Sequence, residues 1–326
     1  MPQPHSGQVH IDKPLTNLSV AHIQDAKDFV ASSVFPIVGV PKRSDKYFTY
    51  DRDDWKRSLA RVRAPGTESA GGGFGVSNDS YSCDVIAFHK DVDDQTRQNT
   101  DDPLSPDQDA MEFVTRQMLL KREVDFMSTF LTTSVWGRDY TGISGSSSGT
   151  DLKYWSSSSS TPIADVKAAK LYLKELTGLV ANKLLLSESV FNKLSEHADI
   201  IDRIKYTQGG GAIATVQLLA ALFGVDEVVV ASAIQDTSKE GAAEASSFIM
   251  GKHALLVHAP KSPGLRVPSA GYTFAWTGMP GAGSFGNTIS RFRMEHLKAD
   301  RVEAEMAYDL KKVSADLGIF FNGIIA

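Results

Sequence analysis

The clearest periodicity in the chain lies between Ser105 and Leu131. Phe113, Val114, Gln117, Leu120, Val124, Met127 and Leu131 recur at three- and four-residue spacing, which predicts one packed face of a long helix. Ser105-Pro106-Asp107-Gln108 supplies its start. Ser is the cap, Pro takes the first helical position, where a missing N–H loses no hydrogen bond, and Gln can close a capping box. Glu112 precedes Arg116 by four residues, the favourable order for a surface ion pair. About 25 residues at 1.5 Å each make a rod roughly 37 Å long.

Alternation takes over near the C-terminus. Val302, Ala304, Met306, Tyr308 and Leu310 fall on one face of a strand, with Arg301, Glu303, Glu305, Asp309 and Lys311 on the other. In the strand before it, Phe292 and Met294 share a face and Arg291 and Arg293 lie opposite. A fold-back at Lys298-Ala299-Asp300 turns those arginines toward the acidic side of the partner strand. Residues 317–325 are apolar enough for burial.

Between these elements the pattern changes every ten to twenty residues. A Ser/Gly-rich run over 142–160 reads as a linker. Thr161-Pro162 opens a capped helix with Val166, Ala169, Leu173 and Leu176 on its stripe and Gly178 as its stop. Residues 183–186 form a short buried strand, and Ser187 caps a helix through Phe191 and Leu194. A helix over 215–223 ends at Gly224, and strands are expected at 228–230, 248–250, 254–257 and 272–276. The block reads as compact α+β.

The N-terminal part is less regular. Residues 1–17 read as a mobile arm, and residues 19–34 as a short helix with Ile23, Ala26, Phe29 and Val30 on one stripe. Two prolines keep Phe35-Pro36-Ile37-Val38-Gly39-Val40-Pro41 extended. Residues 46–102 then carry too few apolar positions for a core of their own. Tyr47, Phe48 and Tyr50 start a strand, residues 84–88 look like the returning one, and the tip holds Pro65-Gly66 and Gly71-Gly72-Gly73. Some twenty residues per arm would reach roughly 65 Å. An isolated two-stranded ribbon is marginal in water, so it is expected to dock on a neighbour.

Composition narrows the function. With 326 residues, 42% hydrophobic and 22% charged, the chain can bury a real core. A net charge of −5 gives no bulk attraction to nucleic acid. The single cysteine, Cys83, cannot form an internal disulfide, and its neighbour Asp84 disfavours a thiolate. No apolar run is long enough to span a membrane, and the N-terminus lacks the apolar core of a secretion signal, so synthesis in the cytoplasm is expected.

Candidate chemistry is sparse. Gly281-Ala282-Gly283-Ser284-Phe285-Gly286 matches a dinucleotide pattern, but strand follows it where a phosphate needs a helix N-terminus, so it reads as a loop. Gly145-Ser146-Ser147-Ser148-Gly149 matches a nucleophile elbow, yet it sits in the linker and not between strand and helix. A serine hydrolase is therefore set aside. Asp91, Asp93 and Asp94, with Asp101 and Asp102 nearby, lack the glycine and closing Glu of a calcium loop and read first as a solvated acidic face, with a weak cation site or an intersubunit partner for the basic ribbon as the alternatives. His253 and His258, five apart on one strand pattern, face opposite ways and cannot share a metal. Arg52, Lys56, Arg57, Arg61 and Arg63 crowd the outgoing ribbon arm. Only Trp55 interleaves with them, too little for single-stranded nucleic acid, so ion pairing between subunits is expected. No catalytic, cofactor or metal residue is expected.

The order of arm, ribbon, spine helix, α+β block and returning strands resembles the major capsid proteins of tailed double-stranded DNA bacteriophages. This is the Hong Kong ninety-seven-like capsid fold, shared with encapsulins. The phrases FPIVGVPKRSDKYFTYDRDDWKR (35–57), NKLLLSESVFNKLSEHADIIDRIKY (182–206) and the strand pair over 291–313 carry the likeness, which spans nearly the whole chain. The resemblance implies an N-terminal arm (1–45), an extended β-hairpin loop (46–102), a peripheral domain (103–160 and 288–326) and an axial domain (161–287). It implies a structural subunit that assembles into hexamers and pentamers around double-stranded DNA, without sequence-specific binding. A separate scaffolding protein, a portal and a decoration protein would be partners, and the virion capsid the location. The encapsulin reading, a shell around protein cargo, is the alternative. The intersubunit candidates are Arg52, Trp55, Lys56, Arg57, Arg61 and Arg63 against Asp91, Asp93, Asp94, Glu303 and Glu305.

Overall fold

The computed structural model describes residues 24–50, 54, 56–100, 104–205, 214–239, 241–264, 267–279 and 286–326. The expected arm at 1–17, Ile23, Arg52, Trp55, Asp101, Asp102 and most of the glycine pattern at 281–286 lie outside them. In chain order, helix α1 (Ala31–Val34) and strand β1 (Ile37–Val40) lead into β2 (Ser44–Tyr50), β3 (Val76–Ser82), β4 (Asp84–Asp93) and α2 (Asp94–Gln98). The spine is α3 (Pro106–Phe130), followed by β5 (Arg138–Ile143), β6 (Asp151–Lys153) and α4 (Pro162–Thr177). Next come β7 (Lys183–Ser187), α5 (Glu188–Ser195), α6 (Ala198–Lys205), α7 (Val216–Phe223), β8 (Glu227–Ala231), β9 (Ile234–Asp236) and β10 (Ser246–Phe248). The chain finishes with β11 (Ala254–Val257), β12 (Gly271–Trp276), β13 (Asn287–Met294), β14 (Ala299–Lys312) and β15 (Gly318–Asn322).

Two sheets share the spine helix. The first is built on β14, with β4 along one edge and β13 then β12 end to end along the other; β1 extends it beyond β12. The alternation read from sequence holds here, since Val302, Ala304, Met306 and Tyr308 are buried. They meet Ala110, Val114 and Met118 on the first half of α3. The second sheet runs β6-β5-β15-β11-β7-β8. Its central strands read as unbroken apolar runs because both faces are covered. The far half of α3 enters that larger core, where Phe126 and Phe130 pack against Phe35 at ring separations of 5.8 and 4.8 Å. The sheets therefore interleave the chain: β12 joins the first, and β15, from the end of the chain, joins the second.

Helix boundaries follow the sequence signals unevenly. Ser187 and Thr215 accept the backbone N–H groups of Val190 and Leu218, capping α5 and α7. Ser105 and Thr161 make no side-chain capping bond, so the box expected at Ser105 and Gln108 does not form. Proline at the first turn and acidic residues there hold these two starts instead. The expected Glu112–Arg116 pair is present at 3.5 Å.

Several readings are corrected. The helix expected over 19–34 is, where described, a 3-10 turn (Ala26–Asp28) followed by α1, with Phe29 and Val30 buried between them. The ribbon's returning strand is β3 and not residues 84–88, which belong to β4. Among the described residues the paired part of the ribbon extends for seven residues per arm, about 23 Å. The strand expected at 248–250 is β10, ending at Phe248. The buried face of the spine is Ala110, Val114, Met118, Glu123, Phe126, Met127 and Phe130; Phe113 is exposed and Val124 half-buried. Finally, Arg291 and Arg293 stand opposite Val302 and Asp300, on the spine-facing side of β14 and away from Glu303 and Glu305.

Candidate assembly surfaces

The ribbon is firm at its base and exposed beyond it. Tyr81 stacks on Phe274 with ring centroids 4.7 Å apart, and Tyr47 lies 5.3 Å from the same ring. Cys83 is buried there; burial above all, then the Asp309 and Asp84 charges, pushes its thiol up to about 11. It is a packing residue and not a nucleophile. Arg43 donates to the Cys83 carbonyl (3.1 Å), and the Ser82 N–H donates to Asp309 (2.8 Å), which ties the base to β14. From Lys56 to Ser80, by contrast, every residue is exposed, including Leu59, Val62, Phe74 and Val76. Apolar side chains on a segment without a core are what a docking element presents.

Of the ribbon cations that the structure describes, Lys56 donates to the Leu176 carbonyl near the C-terminal end of α4, and Arg63 to the Thr67 carbonyl within the tip. Arg57 and Arg61 form no hydrogen bond or ion pair among the described residues. The acids expected to receive them divide into two groups. Asp91 takes both arms of Arg301 at 2.7 and 2.9 Å, Asp93 caps α2 through the Thr96 N–H, and Asp94 takes Arg293 at 2.6 Å on each oxygen. These bonds hold all three carboxyls below the usual carboxylate range. Glu303 and Glu305 sit half-buried on the face of β14 turned away from the spine and form no ion pair among the described residues.

The strongest polar cluster was not singled out from sequence. Asp300 receives Arg291 (2.6 Å), Arg97 (2.9 Å) and Arg293 (3.3 Å), and its carboxyl falls to about 2, chiefly through the Arg291 bond. Arg97 and Arg291 also reach Asp107 at the start of the spine, at 2.9 and 3.2 Å. The cluster clamps the β13–β14 turn and α2 to the first turn of α3. Its only signal in sequence is charge alternation, which does not reveal register.

Neither of the two enzymatic sequence patterns is followed by a helix. Residues 145–149 join β5 to β6, with no helix following. Gly286 precedes β13, not a helix; its φ is +65°, and a Cβ there would sit 2.8 Å from the Ala307 carbonyl, so glycine is required by the backbone. A buried Ser160–His197 pair exists at 3.1 Å, but His197 Nδ1 accepts the Asp199 N–H. The proton therefore sits on Nε2, which cannot then take one from Ser160. Among the described residues no cluster of His, Cys, Asp or Glu could hold a metal ion, and no helix is long and apolar enough to cross a membrane.

No protein-family model matches the chain. In sequence it is similar to the major capsid protein of Burkholderia phage BcepMu, 24% identical over 327 residues and covering 96% of each chain. In structure it is similar to a phage-related protein from Bordetella bronchiseptica (TM-score 0.68, 22% identity, 92% and 93% of the chains). It also resembles the capsid of cyanophage P-SCSP1u (TM-score 0.61, 11% identity, 98% of each). An encapsulin from Synechococcus elongatus matches as well (TM-score 0.56, 10% identity, 99% and 96%). The fold is the α+β fold common to phage capsids and encapsulins, as the order of elements in sequence implied.

Proposed function

We propose that this chain is the major capsid protein of a tailed double-stranded DNA phage, a structural subunit that assembles into hexamers and pentamers and closes an icosahedral head. One observation carries the reading: a chain similar from end to end to a phage major capsid protein bears a ribbon exposed at every residue from 56 to 80. On a neighbouring copy, Leu59, Val62 and Phe74 would be removed from water at about 25 cal/mol per Å² of apolar surface. Repetition of one contact around a closed shell suits a chain used many times.

Within this reading, residues 1–45 are the arm and residues 46–102 the extended loop, whose last strand, β4, also runs along β14. Residues 103–160 and 288–326 remain the core of the peripheral domain and 161–287 that of the axial domain. β12, β5, β6 and β15 cross between them. The basic arm, Arg52 with Trp55, Lys56, Arg57, Arg61 and Arg63, meets an acidic face of the next subunit. Among the described residues Glu303 and Glu305 form no ion pair, so they take precedence over Asp91, Asp93 and Asp94.

A separate scaffolding protein, a portal and a decoration protein would complete the particle, which encloses DNA without reading its sequence. The subunit would be made in the host cytoplasm and reside in the virion capsid. An encapsulin shares the fold; the sequence-level relative, a phage protein, weighs for the genome container. The contents of purified particles test this: nuclease-resistant double-stranded DNA of uniform length supports the phage head, and an enzyme cargo without DNA overturns it.

A further inference from the structure

Arg122, on the spine helix, makes no hydrogen bond or ion pair among the described residues, and its Nε is buried without a partner. Neither nearby acid makes an ion pair with it, although Glu123 keeps one oxygen buried without a hydrogen-bond partner. Glu123 accepts the Ala31 N–H (2.8 Å), and Asp125 accepts Tyr308 Oη and Lys121 Nζ (2.7 Å each). On the facing sheet, Thr273 is 5% exposed and its Oγ1 is also buried without a partner. Both side chains line one cavity of about 80 Å³ between α3 and the sheet. It lies where β12 and β13 meet the same edge of β14 end to end.

The walls decide what the cavity suits. Ile37, Met118 and Leu119 are apolar, and the Thr115 hydroxyl is spent on the Met111 carbonyl (2.8 Å). The buried donors are the Arg122 guanidinium and the Thr273 hydroxyl, with the more exposed Asn287 and Thr288 also in the lining, and this set beside apolar walls matches a single carboxylate with a short apolar stem. The space exceeds the roughly 10–15 Å³ that one water needs. Glu305 borders the cavity through its place on β14, but its side chain belongs to the opposite face of the strand and makes no ion pair with Arg122 among the described residues.

We infer that this cavity is a binding site for a small carboxylate, held by the Arg122 guanidinium and the Thr273 hydroxyl. Burial disfavours the charged form of Arg122, and an anion seated there would relieve that penalty. The carboxylate belongs either to a free organic acid or to a side chain of a second copy. The site itself does not depend on the shell reading.

The test uses the full-length, unassembled subunit with acetate or butyrate against sodium chloride at equal ionic strength. The site predicts a saturable shift of one arginine Nε–H NMR signal. It also predicts a melting-temperature rise of roughly 2 °C at about ten times the dissociation constant, beyond any effect of chloride. Arg122→Gln and Thr273→Val should each abolish both; if Arg122→Gln does not fold, Thr273→Val, nearly isosteric, decides alone. Equal responses to chloride and carboxylate, or an unchanged response in Thr273→Val, overturn the inference. In assembled particles, a retained response assigns the site to a free acid, and a lost response assigns it to a neighbour's carboxylate.

Discussion

The carboxylate of Glu123, wholly buried midway along the spine helix, accepts the backbone N–H of Ala31 at 2.8 Å. One side chain thus closes the start of α1 and fixes the segment that carries Phe35 into the core. Burial pushes this carboxyl up from its ordinary value, against the pull of the Ala31 and Val30 backbone bonds.

Removing that acceptor should cost about 1–3 kcal/mol, because a buried N–H is left unpaired. Glu123→Leu is expected to lower the melting temperature and speed amide hydrogen exchange over residues 29–34. Glu123→Gln keeps an acceptor and should lose less. The folded-state carboxyl is raised, so wild-type stability falls as pH rises through its range, while the Gln variant lacks that slope. The gap between them should narrow toward higher pH.

The spine's buried face is testable by contrast. Phe126 is wholly buried among Phe35 and Phe130, so Phe126→Ala should cost about 3–5 kcal/mol in denaturant unfolding. Phe113 is 45% exposed, with Phe88 and Lys90 beside its ring, so Phe113→Ala should cost about 1 kcal/mol or less. Equal costs would reverse the assignment of faces.

Asp300 sets an acid limit on the clamp. Its carboxyl falls from 3.8 unfolded to about 2 folded, so its stabilisation is complete above the first value and lost as pH falls through the second. Asp300→Asn should melt below wild type at pH 7, and the difference should vanish below about pH 2 in calorimetry.

Charge on the ribbon should act on assembly and not on the fold. Reversing Arg57 and Arg61 to Glu is expected to slow or block shell formation in light scattering, with subunit melting unchanged. Single exposed pairs give only about 0.2–1 kcal/mol, but a shell repeats each one in every subunit. Salt should weaken wild-type assembly in the same direction, since screening shortens from about 10 Å at 0.1 M to about 3 Å at 1 M. Double-mutant assembly equal to wild type at low salt would leave these arginines as a solvated face.

Much of the fold was legible because its elements carry strong local signals: Pro106 and Pro162 start helices, Gly178 and Gly224 end them, and β14 alternates along its length. Three features were not. The ribbon's own strand, β3, is polar because solvent lies on both sides, whereas the more apolar β4 carries the stronger local strand signal. The spine serves two cores, so its buried positions do not form one simple stripe. The β13–β14 turn takes residues 295–298, pairing Met294 with Ala299. That shifts the register by an odd number from the expected fold-back and moves both arginines to the other face. The Asp300 clamp follows from that shift, and the Arg122 cavity depends on strand pairings that no local pattern encodes.

The most direct measurement is a cryo-electron microscopy reconstruction of the purified assembly. The account predicts a closed icosahedral shell of hexamers and pentamers in which residues 56–80 of each copy are buried against a neighbour. Subunits that stay monomeric at every concentration, or particles whose ribbons remain in solvent, would contradict it.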